Sequence, residues 1–300
     1  SPKVRGVIFL VLILVLSGLT FARNFNWKDG LTLWSDAVKK AEKKARPYTN
    51  LGRMYTEMGD YDKAIELFQR SLKLDSHALE TYNNLGYTYE QKGEYDLAIA
   101  TYKKAIRLDP DNALLYTNLG AAYKGKGAID EAIRIFEKAI SLGFAPAHYN
   151  LGLIFYEKKN YEKAVEQFQQ GLKVDPYFAD NRLALGIVYD LQGKHNSAIS
   201  EYEKIIMLEP DFAQAYYNLG ISYENIGQLE EALKVYQIAI KLDPFYLKAY
   251  NNLGNVYYKK GEYAKAIVQY RKALEISPDF TDAKNNLAEV EKLLNIKKIE

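Results

Sequence analysis

Residues 79–112 read LETYNNLGYTYEQKGEYDLAIATYKKAIRLDPDN, and this stretch decides the fold. Apolar and aromatic residues recur at helical spacing on either side of Gly93, the pattern of two amphipathic helices joined by a turn. Gly93 stops the first helix as a left-handed C-terminal residue. Asp109-Pro110 stops the second, because the residue before a proline is pushed out of the helical region.

The stretch returns along the chain. The dipeptide Leu-Gly recurs at Leu51-Gly52, Leu85-Gly86, Leu119-Gly120, Leu151-Gly152, Leu185-Gly186, Leu219-Gly220 and Leu253-Gly254, with spacings of 34, 34, 32, 34, 34 and 34. Twelve residues after each glycine stands an alanine: Ala64, Ala98, Ala132, Ala164, Ala198, Ala232 and Ala266. Sixteen after it stands an aromatic: Phe68, Tyr102, Phe136, Phe168, Tyr202, Tyr236 and Tyr270. The small residues let paired helices approach and the rings fill the space between them, so most of the 26 tyrosines are repeated core chemistry. Gly59, Gly93, Gly127, Gly193, Gly227 and Gly261 stop first helices; the fourth repeat has Lys159-Asn160 there, with Asn160 expected to take the left-handed place. The third repeat is short and closes at Ser141-Leu142-Gly143.

This pattern resembles the tetratricopeptide repeat (TPR) over residues 45–280. The resemblance implies an all-α, right-handed TPR α-solenoid of seven helix–turn–helix repeats. One repeat cannot bury its apolar face alone, so the ends need covers. Residues 27–44, with Leu31, Leu33, Trp34, Ala37 and Val38, read as a degenerate half-repeat cap; residues 281–300, with Leu287, Val290, Leu293 and Leu294, read as a C-terminal capping helix.

Residues 1–26 read as a hydrophobic helix preceding the repeats. Val7 to Leu16 are all apolar, and Gly6 to Ala22 carry no charge. Ten such residues favour membrane insertion by about 3–6 kcal/mol. Residues 4–22 are therefore expected to anchor the chain in a membrane; a signal peptide cut near Thr20-Phe21-Ala22 and a helix buried against protein are the other readings. Ala22-Arg23-Asn24, Trp27-Lys28-Asp29, Leu33-Trp34 and Ala37-Val38 resemble the junction in transmembrane-and-TPR O-mannosyltransferases and their bacterial relatives. That resemblance implies repeats in the periplasm or outside the cell.

Composition narrows the function. Forty basic against 38 acidic residues give a net charge of +2, without the basic stripe of a nucleic-acid binder. The absence of cysteine excludes disulfides and thiolate metal sites. His77, His148 and His195 fall in different repeats without metal-ligand spacing, and the chain has no phosphate loop, nucleophile elbow or HExxH. No catalytic residue, metal or cofactor is expected, and the chain reads as non-enzymatic.

By the TPR resemblance, the first helix of each repeat lines a concave groove. The sixth repeat position holds Asn50, Asn84, Asn118, Asn150, Ala184, Asn218 and Asn252. This row resembles the asparagine ladder of O-GlcNAc transferase, whose amides grip a peptide backbone. An amide both donates and accepts, so it can bind an extended strand without reading side chains; the alternative is that these asparagines bond locally. Tyr149, Leu153, Tyr156, Leu183, Ile187, Leu191, Tyr217 and Ile221 put an apolar patch in the groove of repeats four to six. Such patches mark binding sites, unless curvature of the superhelix buries them. An amphipathic or apolar helix would suit the groove. The chain is thus expected to be a membrane-anchored, extracytoplasmic scaffold for a protein or peptide partner. The alternatives are a self-assembling extracellular filament, with the apolar helix or the repeat ends contacting copies of the chain, and the accessory tail of a membrane glycosyltransferase.

Overall fold

The computed structural model describes residues 29–297, which form sixteen α-helices and no strand. They fall into two compact units, one ending at Gly143 and the other starting at Phe144. The first holds α1 (Gly30–Lys40), α2 (Ala45–Glu57), α3 (Tyr61–Leu74), α4 (Leu79–Gln91), α5 (Tyr95–Leu108), α6 (Ala113–Gly125) and α7 (Ile129–Ser141). The second holds α8 (Ala145–Glu157), α9 (Tyr161–Val174), α10 (Ala179–Leu191), α11 (His195–Leu208), α12 (Ala213–Asn225), α13 (Leu229–Leu242), α14 (Leu247–Lys259), α15 (Tyr263–Ile276) and α16 (Thr281–Lys297). Helices are antiparallel hairpin pairs, and within each unit each pair packs on the next.

The hairpins interlock through the glycine of the first helix and the ring of the second. A Cβ built on Gly52 would stand 2.7 Å from Cε1 of Phe68; on Gly86 or Gly186 it would stand 2.5 Å from Cε1 of Tyr102 or Tyr202. These rings are fully buried, so they have nowhere to retreat. Where the ring is a tyrosine its hydroxyl is satisfied. Tyr102 donates to Glu90 Oε1 at 2.6 Å, Tyr202 to Asp190 Oδ2 at 3.1 Å, and Tyr236 to Glu224 Oε2 at 3.1 Å. Where the ring is Phe68, Phe136 or Phe168, the matching place on the first helix holds Thr56, Lys124 or Tyr156 instead of an acid. Tyr270 faces Tyr258 at that place and donates to Asn255 Oδ1 instead, at 2.9 Å. A buried phenol without an acceptor costs free energy, which explains this pairing of residue types. Burial also pushes the Glu90 carboxyl above its ordinary range, although the Tyr102 hydrogen bond pulls the other way.

First helices end in Schellman turns. Gly59 has φ +80°, its N–H donates to the Thr56 carbonyl at 3.0 Å, and Asp60 N–H reaches the Tyr55 carbonyl at 2.9 Å. The fourth repeat corrects the expectation for Asn160. The left-handed residue is Lys159, at φ 57°, while Asn160 caps α9 by accepting from the Lys163 N–H at 3.2 Å. The reason is register: in the other repeats the left-handed glycine stands seven residues after the glycine of the first helix, and seven after Gly152 stands Lys159, with Asn160 next at the cap of α9. Lys159→Gly is therefore expected to stabilise the second unit by about 1 kcal/mol, by relieving Cβ crowding in the left-handed region. Urea unfolding checks this; an unchanged or lower midpoint contradicts it.

The N-terminal expectations are corrected. The hydrophobic helix at 1–26 has no support, and those residues lie outside the described ones, as do Trp27 and Lys28. No helix among the described residues is long and apolar enough to cross a membrane. The longest, α16, has 17 residues, about 25 Å, against a hydrocarbon core of about 30 Å. This overturns the membrane-anchored placement with repeats in the periplasm or outside the cell, which had rested on residues 4–22.

Candidate functional site

Consecutive first helices touch one another: α2 with α4, α4 with α6, and α8 with α10, α10 with α12, α12 with α14. Consecutive second helices do not approach to the same extent. Each unit therefore closes toward its first-helix side, and the sixth-position asparagines lie there.

Their amides are largely spent inside the protein. Asn118 Nδ2 donates to Asn83 Oδ1 at 2.6 Å, and Asn252 Nδ2 to the Tyr217 hydroxyl at 3.3 Å. The capping helix continues this row: Asn286 Nδ2 donates to Asn251 Oδ1 at 2.9 Å. Asn286 occupies the sixth place of α16, a member of the row that the repeat count passed over. In each of these cases the acceptor is at the fifth place of the preceding repeat. Before Asn218 that place is Leu183, which accepts nothing. Asn218 Nδ2 turns back to the Gln214 carbonyl at 2.8 Å, as Asn150 Nδ2 does to the Pro146 carbonyl at 3.0 Å. Asn50 is buried and Asn84 half-buried, and neither side chain has a hydrogen-bond partner among the described residues. The row is thus in large part a set of local and inter-repeat bonds.

The apolar patch behaves differently. Helix α8 is apolar nearly all round. Leu151 and Ile154 fill the core, which leaves Tyr149, Leu153 and Tyr156 for the opposite face. Facing them on α10 are Leu183, Ala184 and Ile187, and between the helices opens a cavity of about 240 Å³. Phe168 and Val188 complete its apolar wall, and Asp180 and Gln214 supply polar groups. Tyr149 is held by ring contacts at 6.1 Å to Phe168 and 5.4 Å to Phe178. Burial raises its phenol pKa, and the Asp180 carboxylate adds to the shift. Ala184 matters because of what it replaces: an asparagine at this sixth place would project into the space.

Five of the eight apolar positions named from sequence therefore converge: Tyr149, Leu153, Tyr156, Leu183 and Ile187. Tyr217 and Ile221 pack instead against the cluster around Leu233, Tyr236 and Leu253. Tyr217 is wedged between Tyr236 at 6.0 Å and Tyr246 at 4.9 Å. Leu191 is 51% exposed and does not line the cavity. The sequence reading missed Asp180 and Gln214, although both occupy the second position of groove-lining first helices.

The histidines stay apart. His148 Nδ1 is 2.9 Å from Gln167 Oε1, His195 Nδ1 is 2.9 Å from Asp190 Oδ1, and His77 Nδ1 is 3.2 Å from Ser76 Oγ. No metal-holding cluster of three or more His, Asp or Glu side chains occurs among the described residues.

Comparisons with known proteins place this arrangement. Among solved structures, a chain of the APC/C hetero-tetramer Cut9–Hcn1 superposes with a TM-score of 0.61 at 19% identity, over 87% of this chain. This chain spans about half of that one, 52%. The C-terminal part of a TPR repeat-containing protein from Cytophaga hutchinsonii gives a TM-score of 0.58 at 18% identity, covering 79% of this chain and 98% of the other. These two likenesses speak for the fold alone. YrrB, described as a TPR protein with an unusual peptide-binding site, gives 0.46 at 26% identity, over 62% of this chain and 96% of its own. No curated protein matches this chain in sequence. Nothing found supports the mannosyltransferase-like junction at residues 22–38, a glycosyltransferase tail or an extracellular filament, and no catalytic family is indicated. The tetratricopeptide-repeat family matches at residues 13–77, 45–111, 77–143, 145–178 and 247–280, and a further TPR repeat family at 191–227 and 225–261. With these matches laid over hairpins that interlock glycine against ring in every repeat, the chain belongs to the tetratricopeptide-repeat family.

Proposed function

We propose that this protein is a non-catalytic scaffold that holds a partner polypeptide against the first-helix face of its second unit. The cavity between α8 and α10 takes the partner's leading side chain. The cavity itself carries this reading: it is open, its wall mixes apolar side chains with the polar groups of Tyr149, Tyr156, Asp180 and Gln214, and Tyr149, Leu153 and Tyr156 stay half-buried beside it while packing on the hairpin core. A concave apolar pocket with a few polar groups at its margin is the usual form of a recognition site. The asparagine row has a lesser part. Its donors are largely engaged internally, so backbone gripping along the whole array is not part of the proposal.

The test uses peptides selected from a random display library by the full chain. A photoreactive benzophenone side chain is placed at Leu191, on a first helix, or at Met207, on a second helix; both positions are exposed. Selected peptides are expected to crosslink from 191 and not from 207. Failure to select any peptide, or crosslinking confined to 207, overturns the proposal.

A further inference from the structure

We propose that the cavity selects a cationic segment: a bulky apolar side chain of the partner fills it, and a lysine or arginine close by in the partner's sequence pairs with Asp180. This rests on the preceding reading of the cavity as a polypeptide site.

Asp180 is the one charged residue on the cavity lining. It is exposed, and no lysine, arginine or histidine pairs with it among the described residues. The basic side chain two residues along is already committed: Arg182 Nη1 lies 2.7 Å from Glu201 Oε2, and Nη2 donates to the Pro176 carbonyl at 2.6 Å. An acid in the first turn of a helix also serves the helix dipole. That service leaves its oxygens free to meet a cation arriving with the ligand. The apolar side chains lining the cavity beside Asp180 are a low-dielectric boundary, so the charge is felt more strongly there than on open surface. An acidic segment would be repelled from the same place. The wall decides the anchor. Leu153, Phe168, Leu183, Ala184, Ile187 and Val188 offer no hydrogen-bonding side chain, so an apolar anchor packed against them gains by burial, while the polar groups of Tyr149, Tyr156, Asp180 and Gln214 are left for the flanking residues of the segment. Ala184 makes the room.

Peptides from the display selection are synthesised with a fluorophore and titrated against the full chain by fluorescence polarisation. The selected sequences are expected to pair a Leu, Met or Phe with a nearby Lys or Arg. Ala184→Asn, which installs the residue found at this place in the other repeats, is expected to weaken binding by more than about tenfold, the worth of one buried apolar side chain. Asp180→Lys is expected to weaken basic peptides roughly fivefold, as a partly screened ion pair does. The same peptides with the base changed to glutamate are expected to regain affinity on Asp180→Lys. Circular dichroism and urea unfolding confirm that each variant is folded, and Asp180→Asn stands in should Asp180→Lys fail to fold. If Ala184→Asn weakens binding while neither Asp180 variant shifts the preference for basic peptides, the cationic inference falls and the binding site stands. If Ala184→Asn has no effect, the cavity is not the site and both readings fall.

Discussion

Phe168→Ala is expected to lower the unfolding free energy by about 3–5 kcal/mol, the range for emptying a fully buried aromatic position. Phe168 is 0% exposed and fills the space above Gly152, where any Cβ would collide with it. Its loss removes the contact surface between α8 and α9 and leaves a void too well braced to collapse. It also removes one wall of the cavity and the ring that helps to hold Tyr149. The variant should therefore lose peptide binding as well as stability. Urea denaturation followed by circular dichroism measures the first effect and fluorescence polarisation the second. A stability loss below about 1 kcal/mol would mean that the hairpin is not held by the glycine–ring contact. Intact binding would mean that the cavity wall is dispensable.

Gly52→Val is the complementary experiment in the first unit, and about 3 kcal/mol of destabilisation is expected, the upper end for overpacking a full core. The Cβ alone meets Phe68 Cε1 at 2.7 Å and Cδ1 and Cζ at 3.0 Å, before the γ-methyls are considered. The decisive measurement is the double-mutant cycle with Phe68→Ala. Removing the ring opens the space that the valine needs, and the valine partly fills the void that the ring leaves. The double variant should then be less destabilised than the sum of the single variants, by about 1–3 kcal/mol. Strict additivity would show that the two residues act on the fold independently, against the interlock described above.

Much of this was legible because a helical repeat states its packing many times over. The 34-residue period, the small-residue and ring positions and the turn glycines each follow from local chemistry, and agreement between repeats averages out local exceptions. The apolar patch was half legible. Tyr149, Leu153, Tyr156, Leu183 and Ile187 share a face by helical spacing and do meet. Tyr217 and Ile221 share the same spacing, yet they are drawn into the packing of Tyr236 and Tyr246. Spacing assigns a residue to a face but does not say what the neighbouring hairpin presents to it.

Periodicity alone established the hairpin unit and the repeat register, because each depends only on residues within one repeat length; the TPR family came as a resemblance of that pattern, which the family matches then showed. Only tertiary packing decided which asparagine reaches across to the preceding repeat and which folds back on its own helix. It also decided that Ala184 opens a cavity where other repeats carry an asparagine, whereas the left-handed turn at Lys159 is local, closed by bonds from Lys159 and Asn160 back to Tyr156 and Phe155. The reason is geometric. A hydrogen bond or a void belongs to the space between elements, and its existence depends on side chains some thirty residues apart in the chain, whose mutual approach is set only when the hairpins stack.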